Sequence, residues 1–153
     1  MRRFAASVVA LALVVVAAPT LADTDWDGRQ EIKLSPVERN YLLDEMQSNM
    51  TALQEVYEAL AAPDFAHAAE AATTRGMDTF GDKDPRRPKT LTPKLPPGWK
   101  ALSAAGRNGF DELAKLLKDG EGPGAVMASL GRLHANCNAC HVAFKLTATP
   151  PAP

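Results

Sequence analysis

Five consecutive residues, Cys137-Asn138-Ala139-Cys140-His141, constrain the fold of this chain more than any other feature. Cys137 and Cys140 are the only cysteines among its 153 residues. Because residues three and four apart in a helix share a face, both thiols and the His141 imidazole would point the same way on a helix. The surrounding fold must then leave room in front of that face for one flat ligand.

The Cys-x-x-Cys-His spacing is typical of covalent attachment of c-type haem. The thiols of Cys137 and Cys140 would form thioethers with the haem vinyl groups, and His141 would bind the iron from one face. A thioredoxin-like redox pair would accompany a βαβ pattern, which is not evident in this sequence. A closed zinc site needs four ligands, and the chain has no second cysteine pair. We therefore expect one covalent haem c per chain.

Residues 1–22 have the three parts of a secretory signal peptide. Arg2 and Arg3 give a positive start, residues 4–18 form an uncharged apolar run, and Ala22 ends the expected cleavage region. The apolar run is short for a membrane span, which needs about 20 residues. We expect cleavage and export to the periplasm, with an uncleaved anchor as the alternative. Cleavage leaves 15 basic against 18 acidic residues, a balance that argues against nucleic-acid binding.

The 131 residues after this segment suit one domain. Residues 23–34 are expected to be disordered or extended, and residues 147–153 to form a disordered tail with three prolines among its last four residues. The intervening residues 35–146 are predicted to be all-α with four helices. No membrane association is expected once the signal peptide has been removed.

Caps and apolar spacing predict the four helices. The first begins at the capping box of Ser35 and Glu38 and continues to about Ala61, with a core-facing seam of Leu43, Met46, Met50, Leu53, Tyr57 and Leu60. The second begins at Asp64 and ends near Gly76. A proline-rich loop follows at 77–97. The third helix then covers about 97–118 and the fourth about 123–145. Gly106 and Gly109 would let either a haem or a neighbouring helix approach the third helix closely.

An exported helical chain with this motif near its C-terminus resembles the cytochrome c′ family, the class II c-type cytochromes. The resemblance covers about residues 33–146, and its most specific part is the Cys-x-x-Cys-His motif followed by Phe144 and Lys145. It implies an antiparallel, up-down-up-down four-helix bundle with haem in the core. It also implies that Lys145, where arginine is usual, contributes to haem binding and that Arg39 meets a haem propionate.

One position on the first helix divides this family by function. High-spin members have an apolar side chain over an open iron and bind gases such as nitric oxide, whereas low-spin relatives of the cytochrome c-556 type use a methionine and transfer electrons. Matching Arg39, Leu43 and Leu53 to the family pattern assigns this position to Met46, with Met50 as the alternative. A methionine on an apolar stripe can also be a core residue, and Leu43 over the iron would favour gas binding.

Histidine is a weaker candidate for the sixth ligand. His134 is on the same helix as His141 and approaches from the same side, and His67 resembles a surface residue. The first-helix stripe offers no distal histidine for catalysis, so we expect an electron carrier and not an enzyme. The competing hypotheses are a gas-binding cytochrome and a cofactor-free protein with a Cys137–Cys140 disulfide. Expected partners are transient redox proteins. The basic loop 77–100 could steer their docking, but a solvated loop is the favoured interpretation. The sequence leaves open whether a second copy of the chain is also a partner.

Overall fold

The computed structural model describes residues 27–149, apart from the side chain of Asp82. The predicted signal peptide and the chain end at 150–153 lie outside the described residues. Four helices account for most of the structure: α1 (Pro36–Ala61), α2 (Phe65–Thr73), α3 (Pro97–Lys118) and α4 (Pro123–Ala143). Two strands, β1 (Gln30–Leu34) and β2 (Phe144–Ala148), flank them, and three single 3-10 turns, at Met77–Thr79, Gly81–Lys83 and Thr92–Lys94, interrupt the long loop.

Local sequence explains where the first two helices begin. The Glu38 amide donates to Ser35 Oγ, and the Ser35 amide donates to Glu38 Oε2 at 2.8 Å, which completes the predicted capping box. Asp64 Oδ1 accepts a hydrogen bond from the His67 amide at 3.0 Å, so Asp64 is the predicted N-cap of α2. These caps satisfy amides that the helices themselves leave without partners.

The helices pack in chain order. Helix α2 packs against both α1 and α3, and α3 packs extensively against α4. Their shared core includes Leu53, Val56, Phe110, Leu113 and Leu130. Among the described residues, α1 and α4 share few close backbone contacts. The space bordered by these two helices is therefore available for something other than helix packing.

Two glycines allow α3 and α4 to lie close together. A Cβ at Gly106 would be 3.1 Å from Asn136 Nδ2, and one at Gly109 would be 3.1 Å from Leu133 Cδ1. Asn136 Nδ2 also donates to the Leu102 carbonyl at 2.8 Å. Of the two uses expected for these glycines, the structure therefore has close helix packing.

The predicted seam of α1 is wrong at three positions. Leu43, Met50 and Tyr57 are 40%, 63% and 42% exposed. The buried residues of this helix are instead Glu38, Leu42, Glu45, Ala52, Leu53, Val56 and Ala59. An apolar pattern cannot include the two glutamates, whose carboxylates are buried because they have hydrogen-bond partners.

The pairing of two strands was not predicted, although residues 23–34 were expected to be disordered or extended. The strands pair in parallel, with Gln30 opposite Phe144 and Leu34 opposite Ala148. Ile32, Leu34 and Phe144 are buried, so the strands cover one end of the helical core. Helix α4 consequently ends at Ala143, before the predicted 145, and the expectation of a disordered tail does not hold at residues 147 and 148.

Within the described part of the chain, none of the helices is both long enough and apolar enough to span a membrane.

Candidate haem-binding site

A cavity bordered by α1, α3, α4 and the long loop contains the residues that the sequence analysis singled out. The empty space within its walls, including the part that is open to solvent, is about 850 Å³. Most of its wall is apolar or aromatic, with contributions from Leu42, Phe80, Leu95, Trp99, Leu102, Phe110 and Leu133.

All three reactive residues of the motif line this cavity. Cys137, Cys140 and His141 lie on α4 and share one of its faces, as helical spacing predicts. The two cysteines are half-buried free thiols, and His141 is exposed. Burial raises the pKa of the Cys137 thiol and raises that of Cys140 to about 11. Both are therefore neutral thiols near pH 7.

Of the side chains considered for the far face of the iron, only Met46 lines the cavity. Met46 is half-buried and packs against the cluster that contains Trp99. Met50 and Leu43 are exposed and lie outside the cavity wall. Met46 and Met50 are four residues apart on α1. Among the described residues, Met46 lines the cavity whereas Met50 is exposed to solvent.

The remaining histidines are also outside the cavity wall. His67 is exposed on α2. His134 is exposed on α4, where its Nδ1 is 2.9 Å from the Leu130 carbonyl oxygen and its ring lies beside Tyr57. Neither position supports a second histidine ligand.

Arg39 and Lys145, assigned to the haem by the resemblance alone, do not border the cavity. Arg39 lies half-buried at the start of α1. Lys145 lies on β2, with its Nζ 3.7 Å from Asp27 Oδ2. Neither of these two residues therefore lies with the motif residues at the cavity.

A buried charge cluster borders the cavity and was missed in the sequence. The Glu45 carboxylate accepts hydrogen bonds from Arg75 at 2.8 Å, from Arg86 at 3.0 Å and from Arg107. Burial lowers the pKa of the Arg107 guanidinium, and the charge of Arg75 acts in the same direction, although arginine remains charged. In the sequence, the only indication that Glu45 lies near the site is its position directly before Met46.

Arg87 and Arg107 meet at Phe80, which lies on the loop between α2 and α3. The guanidinium carbons of Arg87 and Arg107 are 5.9 Å and 5.3 Å from the centre of the Phe80 ring. Both arginines and the ring line the cavity. The Nε of Arg87 is buried without a hydrogen-bond partner in the described structure, while its Nη2 donates to Thr92 Oγ1 at 3.3 Å.

Within residues 27–149, no group of three or more His, Cys, Asp or Glu side chains is arranged to hold a metal ion. A haem iron needs only one or two protein ligands, because the macrocycle supplies the others. Thiols, an imidazole, a thioether and an unpaired guanidinium around an apolar cavity are the groups that a covalent haem would use. Comparisons with protein-family models, curated proteins and solved structures find no match to this chain.

Proposed function

We propose that this protein is a periplasmic mono-haem c-type cytochrome that carries electrons and is not an enzyme. Cys137 and Cys140 would hold haem c covalently, and His141 and Met46 would bind its iron. The observation that carries the proposal is that Met46, from α1, lines the same cavity as the three motif residues of α4. Residues far apart in the sequence thus meet at one site of suitable chemistry.

The haem, when bound, would supply one-electron chemistry. The Met46 thioether is a soft ligand, which raises the reduction potential relative to a second histidine. His141 and Met46 would bind the iron in both oxidation states, so electron transfer would need little rearrangement. The apolar side chains of Trp99, Leu102 and Phe110 in the cavity wall would limit solvent access and tune the potential.

We infer that the helices form an antiparallel, up-down-up-down bundle with the haem in its core, as the resemblance to cytochromes c′ implies. Contacts between α3 and α4 support opposite directions, because Gly106 is close to Asn136 whereas Gly109 is close to Leu133. The connections at residues 62–64 and 119–122 are short, which favours antiparallel neighbours.

Export and partner choice follow from the sequence. The predicted signal peptide supports a periplasmic location, where c-type haem is attached in bacteria. The excess of acidic residues argues against a nucleic-acid partner.

Electron-transfer partners bind through small, transient interfaces. Within the basic loop, Arg86 and Lys94 are already paired with Glu45 and Glu38, so only part of its charge remains to steer docking. A second copy of the chain is a further candidate partner.

Gas binding by a five-coordinate haem is the alternative function. It requires an apolar side chain, Leu43 in the family pattern, over an open iron. Leu43 is 40% exposed and outside the cavity wall, whereas Met46 is on that wall. These positions favour the electron carrier.

Replacing each methionine with alanine tests the axial ligand. We expect Met46→Ala to convert the low-spin ferric spectrum to a high-spin one, because the iron loses its sixth ligand. The matched variant Met50→Ala, one turn further along α1, should leave the spectrum unchanged. Optical and electron-paramagnetic-resonance spectra of the exported proteins would distinguish them. The assignment is wrong if Met50→Ala alters the spectrum and Met46→Ala does not.

A further inference from the structure

One part of the cavity wall carries cationic side chains, and neither Arg39 nor Lys145 is among them. Apart from His141, its charged lining residues are Arg87, Lys100, Arg107 and Glu45. Three cations therefore face one carboxylate. That carboxylate is already shared among Arg75, Arg86 and Arg107, so it does not neutralise Arg87.

Among the described residues, neither Arg87 nor Lys100 has a salt bridge, but Lys100 is exposed whereas Arg87 is half-buried. The buried Nε of Arg87 also has no hydrogen-bond partner. A buried donor without a partner destabilises the folded protein, so a ligand that accepts this hydrogen bond would bind favourably. A guanidinium presents donors in a planar fork that matches a carboxylate.

The guanidinium groups of this cationic region and the motif are carried by different elements. Arg107 is on α3 and Arg87 is on the loop between α2 and α3, whereas Cys137, Cys140 and His141 are on α4. The two carboxylates of haem are on the pyrrole rings that carry no thioether link, and they would be directed away from Cys137 and Cys140.

We propose that Arg87, supported by Arg107, binds the haem carboxylates, in place of the Arg39 and Lys145 contacts implied by the resemblance. This assignment rests on the proposed function, since it needs a haem in the cavity. Phe80 holds the two guanidinium groups at one place by cation–π contact. The buried Leu91 and Leu95 anchor the loop that carries Arg87.

The test uses the haem-loaded protein and three charge-removing variants: Arg87→Gln, Lys89→Gln and Arg39→Gln. Haem content is measured first from the alkaline pyridine spectrum, and the resonance Raman band of haem carboxylate bending is recorded next. We expect Arg87→Gln to shift this band to lower frequency, because the haem carboxylate loses a hydrogen bond. Lys89→Gln removes a positive charge two residues away and should leave the band in place, because Lys89 is exposed and outside the cavity wall.

The reduction potential provides a second readout. Loss of a cation beside the haem should lower the potential of Arg87→Gln, and Arg87→Lys should restore most of it by retaining the charge. A band unchanged in Arg87→Gln, or shifted in Arg39→Gln instead, overturns this assignment while leaving the proposed function intact. A wild-type protein without haem overturns the proposed function and this assignment with it.

Discussion

Glu45 and Met46 are adjacent in the chain, and their side chains have different tasks. Met46 lines the cavity, and Glu45 accepts hydrogen bonds from Arg75, Arg86 and Arg107. Because these arginines come from separate parts of the chain, they fix the orientation of α1 at this point. The charge cluster thus determines where the Met46 thioether lies.

Neutralising Glu45 should therefore destabilise the fold strongly. Glu45→Gln keeps the shape of the side chain but leaves the buried Arg75 and Arg107 without a counter-charge. Breaking a buried ion pair in this way costs about 3–5 kcal/mol. Urea denaturation followed by circular dichroism measures the change in the free energy of unfolding.

Glu55→Gln is the control, because Glu55 is on the same helix and only half-buried. We expect this variant to change the free energy of unfolding by less than about 1 kcal/mol. Equal losses in the two variants would contradict a structural role for the cluster around Glu45.

Residue-level prediction from the sequence succeeded where spacing was local. The positions of Cys137, Cys140 and His141 on one face follow from helical geometry alone. Arg87 and Arg107 could not be found in this way, because their meeting at Phe80 depends on how the loop packs against α3. Charged residues are usually solvent-exposed, so a sequence pattern gives no reason to bury them.

At the scale of elements, the start of α1 is tied to the long loop through Glu38. Its buried carboxylate accepts hydrogen bonds from Thr90 Oγ1 and Lys94 Nζ, both at 2.6 Å, and from the Ser35 amide. Burial alone would raise the pKa of Glu38, but these hydrogen bonds outweigh it and lower the pKa to about 2. One side chain therefore completes the cap of α1 and holds the end of the loop.

This pKa predicts a pH-dependent contribution to stability. A carboxyl group whose pKa is lowered on folding stabilises the protein above its unfolded pKa of about 4.5, and that stability is lost as the pH falls toward 2. We expect Glu38→Gln to cost about 2 kcal/mol at pH 7, because hydrogen bonds to a charged group are lost. The difference from wild type should narrow between about pH 4.5 and pH 2.

Denaturant unfolding of both proteins across this pH range measures the effect. Glu58→Gln provides the control, because Glu58 is exposed at the other end of α1. A gap between wild type and Glu38→Gln that stays constant down to pH 2 would contradict the lowered pKa.

Elements whose signals are local were predicted well, and those that depend on distant pairing were not. The capping residues Ser35 and Asp64 mark helix starts in the sequence itself. Strands β1 and β2 come from opposite ends of the described chain, and each is only five residues long. Their parallel register depends on burial of Ile32, Leu34 and Phe144, which becomes evident only when the ends meet.

At the scale of the whole molecule, the cavity forms because one pair of helices packs closely and another pair does not. Gly106 and Gly109 bring α3 against α4, while α1 and α4 share few close backbone contacts. The loop then contributes Phe80, Arg87 and Leu95 to the wall. A sequence can indicate a haem motif and a methionine, but a cavity that joins them depends on the tertiary fold.

The central claim is tested most directly by the spectra of the wild-type protein purified from a bacterial host that exports proteins and attaches c-type haem. We predict one covalent haem per chain, a low-spin ferric paramagnetic-resonance signal and the weak far-red absorption band of a sulfur–iron bond. A colourless protein would contradict haem binding. A high-spin signal that shifts on addition of nitric oxide would contradict Met46 ligation and indicate an open iron site.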